Sequence, residues 1–406
     1  MKKISLLIAF VWLTAACVMP FFVPASPPVP TVSETPSATW TLTPTVTATP
    51  TLYPSITPGL TNPSGASPTP TYPPEGFGPS DFPASIDPLT GLQAADPTLL
   101  ERRPLLVKVA NLPRVYRPQW GLSLADQVFE YYIEEGTTRF AALFLGQDAS
   151  MVGPVRSARL FDHHLMNMFR ADFAFASADY RVRNLLFNQS YSDRLIIESS
   201  CPPMCRWEPK SADYLMADTA GLTTLINQRS VPGGNGRQNL DGFAFNPHSP
   251  GSGTPAPRLY IRYSSAIYNR WDYNAATGKY ERSSDTQDDF QNGANEVYAP
   301  LTDRLTGQAI SADNVVVLFV RHQYFKKKPE IVDIVLSGPD NAYLFRDGQL
   351  FLLKWYRNAL DRTFILAGPD GKTFPLKPGN TWFEVVGTSS QVQVNPADYR
   401  FVFKIP

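Results

Sequence analysis

Between Ile4 and Leu100 the chain contains no lysine or arginine, and sixteen of the sixty residues from 24 to 83 are proline. Threonine alternates with proline, most densely from Thr41 to Thr51. Such a stretch cannot bury enough apolar surface to offset the entropy of ordering it, so it reads as an extended, solvated linker that holds no site. At roughly 3 Å per residue in the polyproline II form, its contour approaches ~200 Å. Of the 406 residues, folding is therefore left to 82–406. That length suffices for one large core or two modest ones.

Lys2 and Lys3 precede an apolar run over 4–16, and small residues lead into Cys17. A charged start, an apolar core of this length and a small-residue cleavage context make an export signal over 1–23. The order Leu13-Thr14-Ala15-Ala16-Cys17 resembles a bacterial lipoprotein box, in which Cys17 would be lipidated and become the new N-terminus. Thr14 departs from the leucine preferred there. An ordinary cleaved signal is one competing reading. An uncleaved anchor running on over 18–23, against Pro20, is the other. All three export the protein; in the lipidated and the uncleaved readings the N-terminus is its contact with the membrane.

Lysine plus arginine and aspartate plus glutamate each number 36. A polyanion binder carries a net basic balance, so nucleic acid is not an expected partner. Beyond Cys17 only Cys201 and Cys205 remain, within CPPMC, and outside the cytoplasm they read as a disulfide clip. Zinc needs four ligands, and the histidines His163, His164, His248 and His322 are scattered, so no metal and no cofactor is expected.

From 84 to 250 strand and helix signals alternate. Strands are expected at 105–110, 127–134, 138–145, 173–177 and 195–198, and helices at 157–169, 180–188 and 212–228. Ser157 is placed to cap the first helix. Six glycines and five prolines mark 231–257 as a break. Beyond it short strands and Gly/Asp turns succeed one another, the pattern of an antiparallel meander or sandwich. The expected class is α+β, with a mixed α/β sheet domain at 84–250 and a smaller, mostly antiparallel β domain at 251–406. Trp271, Trp355 and Trp382 read as core, Lys326-Lys327-Lys328 as an exposed hairpin tip, and Asp285, Asp288 and Asp289 as a solvated acidic turn.

Two segments stand out chemically: EEGTTRF at 134–140 and GPVRSAR at 153–159. They bring Arg139, Arg156 and Arg159 near the expected start of a helix at Ser157. The planar arginine fork bonds two oxygens of a phosphate or carboxylate, and free N–H groups at a helix start add to the pull. Glu130 and Glu134 share a face whether their segment is strand or helix. One reading is an anion site. The other is a brace, in which Glu130, Glu134 or Asp126 neutralises the arginines internally.

The chain resembles the YerB-like lipoproteins of bacteria. The resemblance rests on Asp87-Pro88-Leu89-Thr90-Gly91, Arg103-Pro104-Leu105, Arg117-Pro118-Gln119, Thr138-Arg139-Phe140 and the block from Gly153 to Arg159. Further on it rests on Trp271-Asp272-Tyr273, Phe345-Arg346-Asp347-Gly348 and Gly379-Asn380-Thr381-Trp382. It implies a mixed N-terminal domain, a smaller C-terminal one and no agreed activity. The histidines that relatives carry near 211–213 and 284–289 are missing here. If they did chemistry in relatives, this chain lacks it, which favours binding over catalysis.

The function expected is that of a membrane-anchored, extracytoplasmic binding or scaffold module. Its candidate ligand residues are Asp126, Glu130, Glu134, Arg139, Arg156, Ser157 and Arg159. The expected partner is an anionic envelope ligand or an envelope protein. The alternative is an enzyme acting on a phosphorylated or polyprenyl-linked envelope substrate, for which no catalytic residue is identified.

Overall fold

The structure, a computed structural model, describes residues 76–198, 200–207 and 214–405. The export signal, Cys17 and most of the Pro/Thr-rich linker lie outside the described residues. The linker is expected to run to 83, but folded contacts already begin at Phe77, which bridges Phe245. The ring of Phe82 then packs edge-on against Phe245.

The apolar runs form the strands they predict. β1 is Leu105–Ala110, β2 Gln127–Tyr132, β3 Thr138–Phe144, β4 Asp172–Phe175 and β5 Leu195–Ile197; the helices are α1 Leu160–Phe169, α2 Tyr180–Phe187 and α3 Thr219–Asn227. α3 is shorter than the helix expected over 212–228, because Leu215–Ala217 pairs with Met204–Arg206 as a two-stranded sheet and Asp218 caps the helix start. Cys201 and Cys205 enter that hairpin joined by a disulfide, with Cα atoms 4.9 Å apart.

Strands from both sides of residue 250 share one sheet. Ten of its twelve strands run in the order Ile365–Ala367, Gln349–Arg357, Gly338–Arg346, Asn314–Lys327, Thr381–Gly387, β2, β3, β1, β4, β5, with Glu330–Val335 and Thr254–Pro255 off that path. The seam between the halves is the parallel pair of Thr381–Gly387 with β2. A second, seven-stranded sheet is built on Arg258–Arg262, Tyr268–Asn274 and Lys279–Asp285. The chain is mostly sheet, mixed and antiparallel, rather than evenly α+β.

Strand alternation sorts side chains between two faces of the central sheet. Phe129 and Tyr131 meet Phe169 and Phe161 of α1, while Trp382, packed edge-on against Phe140, and Glu384 meet Trp271 of the second sheet. The result is three layers: helices, central sheet, second sheet. Trp271, Trp355 and Trp382 are all core residues, and Lys326, Lys327 and Lys328 are exposed, as the sequence predicts. No helix among the described residues is long and apolar enough to cross a membrane.

Candidate functional site

The segment Gly153–Arg159 does not enter a helix at Ser157. It stays extended because neighbouring strand ends take its backbone groups: Ala110 N–H donates to Pro154 O at 2.9 Å, Arg156 N–H to Lys108 O at 2.9 Å and Ala158 N–H to Ser177 O at 2.8 Å. The Ser157 hydroxyl meets the Ser177 hydroxyl at 2.8 Å, so it is not available as a cap. α1 begins three residues later at Leu160, and the Asp162 carboxylate takes the Arg159 N–H at 2.7 Å.

Asp162 is a second centre that the sequence reading missed. It is fully buried, accepts from Lys108 Nζ at 3.1 Å and from the Tyr131 hydroxyl, and Lys108 Nζ sits 3.8 Å from the Tyr131 ring centre. Burial pulls the Lys108 ammonium down to about 7 against the attraction of Asp162. The signal was a lone lysine inside the apolar run LLVKVA. Such a charge must be paired or neutral to survive burial.

The seven expected ligand residues do not form one cluster. Glu134 leaves the strand because Glu135 and Gly136 both take positive φ (49° and 75°) in a two-residue turn closed by Thr137 N–H to Glu134 O at 2.9 Å. This is the I′ geometry that matches strand twist. From the turn, Glu134 meets Arg159 through two hydrogen bonds. Glu130 stays in β2 and points to the opposite layer, where it accepts from Arg282 Nη2 at 2.6 Å, Asn111 Nδ2 at 3.0 Å and the Thr138 hydroxyl at 2.8 Å. So the two carboxylates do not share a site.

Asp126 lies at the other end of β2, on the order of 20 Å away at ~3.3 Å per residue. There it accepts from Leu145 N–H and Gly146 N–H and sits beside Asp87. Burial, and then the Asp87 charge, push its carboxyl well above the usual range. Asp126 is therefore remote from the arginines, whereas Glu130, in register with Phe140 next to Arg139, is separated from Arg139 by pointing to the other face of the sheet.

The arginines themselves divide. Arg159 is neutralised by Glu134, and Arg156 lies 4.4 Å from the Tyr116 ring centre. Arg139 is half-buried, donates Nη1 to Ser157 O at 2.5 Å and forms no ion pair among the described residues. Burial, reinforced by Arg159, pulls it down to about 9, so it remains a cation at neutral pH. None of its nitrogens is sealed from solvent without a partner.

Arg139 and Glu134 line a cleft of about 490 Å³ between the β2–β3 turn and the second sheet. Leu112, Pro113, Ile133 and Ala266 make its apolar lining, and Arg114 and Asp288 face them. Arg114 reaches Asp288 at 2.9 Å and Asp285 at 2.6 Å, and Arg117 reaches Asp285 at 2.9 Å. The acidic turn is thus not solvated throughout: Asp285 and Asp289 are buried and ion-paired, Asp289 with Arg262 at 2.8 Å, and only Asp288 is open. Among the described residues no group of three His, Cys, Asp or Glu could hold a metal.

Residues 89–231 match the family described as "Protein of unknown function (DUF3048) N-terminal domain", and residues 259–383 match its C-terminal domain. A Bacillus subtilis (strain 168) protein named "Putative lipoprotein YerB" is 29% identical over 315 residues, which are 74% of this chain and 85% of the relative. The crystal structure of the YerB protein from Bacillus subtilis superposes with a TM-score of 0.62 at 26% identity, covering 74% of this chain and 96% of that one. The sheet shared by residues on both sides of 250, together with these matches over most of the folded chain, places this protein in the DUF3048 family.

Proposed function

We propose that the protein is an exported, lipid-anchored module of the cell envelope that binds an anionic group in the cleft at Arg139. The lipoprotein name of the relative and the signal-like start with Cys17 support the anchoring. One observation carries the binding: Arg139 lines the cleft with one of its five N–H donors engaged and no carboxylate partner among the described residues. A guanidinium so placed is preorganised for a carboxylate or phosphate oxygen. Arg159 and Ser157 act as supports, through Glu134 and through the carbonyl that orients Arg139.

Thermal unfolding of the purified protein, titrated with inorganic phosphate and with acetate against chloride at equal ionic strength, tests this. An anion at a hundred times its Kd adds about 2.7 kcal/mol to stability. The expected result is a rise in Tm for the wild type and none for Arg139→Gln. Equal responses in the two proteins would refute an Arg139 site.

A further inference from the structure

We infer that the cleft is selective for a single negative charge carried on an apolar body, a carboxylate or a phosphodiester rather than a phosphate monoester. This rests on the anion reading of Arg139. The charged groups at the cleft and those directly paired with them are four guanidiniums (Arg114, Arg117, Arg139 and Arg159) and three carboxylates (Glu134, Asp285 and Asp288). Their pairing leaves one positive charge, and Arg139 is the member without an ion pair among the described residues.

A second negative charge on a ligand would find no further unpaired cation among the described residues that line the cleft. It would instead face Glu134 or Asp288, which both line the cleft with Arg139. Like charges lining one cleft repel, and over a few ångströms, less than a Debye length, salt screens them only in part. The remaining wall is apolar at Leu112, Pro113, Ile133 and Ala266, and its two threonines, Thr137 and Thr138, already donate their hydroxyls to Glu134 O and Glu130, which favours a ligand whose body is hydrocarbon rather than sugar. Asp288 is the most exposed of the three carboxylates, with its side chain 42% accessible, and Asp285 continues to hold Arg114 without it. Asp288 is therefore the residue that sets the charge limit and can be altered without unpairing a buried arginine.

The test compares dibutyl phosphate (one charge) with butyl phosphate (two at pH 8), and hexanoate with hexanamide, by calorimetry on the full chain. The wild type should bind dibutyl phosphate and hexanoate, bind butyl phosphate about fivefold or more weakly, and ignore hexanamide. In Asp288→Asn the preference between the two phosphates should reverse, because a second positive charge is then unmatched. Butyl phosphate binding the wild type as tightly as dibutyl phosphate, or an unchanged ratio in Asp288→Asn, would overturn the charge limit and leave the anion site standing. If none of the anions binds, or if Arg139→Gln binds them equally, the site itself falls. Hexanoate and dibutyl phosphate distinguish the carboxylate source from the phosphodiester source.

Discussion

Glu130 and Glu384 lie opposite each other in register on adjacent parallel strands, and one guanidinium, Arg282, donates to both, at 2.6 and 2.9 Å. Phe140, Trp271 and Trp382 surround Arg282, the last with its ring centre 4.9 Å from the guanidinium carbon. Trp271 Nε1 and the Tyr263 hydroxyl also donate to Glu384, at 2.9 and 3.1 Å. All three charged side chains are sealed from solvent. One cation for two carboxylates leaves the cluster a negative charge in excess, so burial, and then the Glu130 charge, push Glu384 up to about 7. Two of its members come from the central sheet and Arg282 from the second, so the cluster ties the layers together.

Replacing Arg282 by methionine should therefore cost about 3–5 kcal/mol, the penalty for leaving buried carboxylates uncompensated. Glu384→Gln should behave oppositely. Its folded pKa is raised, so the contribution of the neutral form is complete below the unfolded pKa and is lost as pH rises through about 7. Urea denaturation should find Glu384→Gln equal to wild type at pH 4 and more stable at pH 8. A variant less stable at pH 8 would show that the charged form is the one the fold prefers.

Stability should pass through a minimum near neutral pH. Burial raises Asp87 to about 6 and Asp172 to about 7, so with Glu384 they lose their contribution as pH climbs from 4 to 7. His163 and His322, pulled by burial to about 4, gain over the same window and offset part of that loss, so the acid limb is shallow. Lys108 also has the other sign. Its folded pKa is lowered to about 7, so its contribution is complete above its unfolded value near 10.5 and is lost as pH falls toward 7. Denaturation midpoints at pH 5, 7 and 9 should be lowest at 7, and Lys108→Met should flatten the limb between 7 and 9. Stability that fails to rise between pH 7 and 9 in the wild type, or rises equally in Lys108→Met, would contradict a neutral buried Lys108.

The sequence predicts most strands well because their signal is local. LLVKVA is bounded by Pro104 and Asn111, and its six residues form β1 as expected. What fails is whatever depends on a distant partner. Ser157 looks like a helix cap until Ser177 takes its hydroxyl, and Glu130 looks paired to nearby arginines until Arg282, 152 positions away, is brought to it. The hairpin of Gln391–Asn395 and Asp398–Val402 goes unread because the first strand is an exposed, polar edge. For the buried charges a usable signal did exist. Lys108 in LLVKVA, Glu130 in QVFEYY and Glu384 in TWFEVVG each interrupt an apolar strand.

The motif Asp87-Pro88-Leu89-Thr90-Gly91 is a turn whose last residue admits only glycine. Gly91 has φ 67° and donates its N–H to Asp87 O at 2.8 Å, and a Cβ there would collide with the Phe245 ring. Left-handed backbone costs an L-residue about 1–2 kcal/mol, and overpacking adds about 1–3 kcal/mol. Gly91→Ala should therefore lower stability by roughly 2–5 kcal/mol. Chemical denaturation checks it, and a loss below about 0.5 kcal/mol, the scale of an ordinary surface substitution, would mean that the turn relaxes freely.

Glu134 and Arg159 should move anion affinity in opposite directions although neither is the anion's direct partner. They form one bidentate pair, and Glu134 lines the cleft that Arg139 shares. Neutralising Glu134 removes a repulsion and raises the charge of the cleft by one, whereas neutralising Arg159 leaves Glu134 unpaired beside Arg139 and lowers it by one. With unit charges roughly 7 Å apart at an effective dielectric near 20, and with salt present, each change is worth about five- to tenfold in affinity. Titration of dibutyl phosphate should thus give tighter binding to Glu134→Gln and weaker binding to Arg159→Gln. A purely structural pair would weaken both variants alike, since each loses the same ion pair. Opposite signs are the result that a charge-tuned cleft requires.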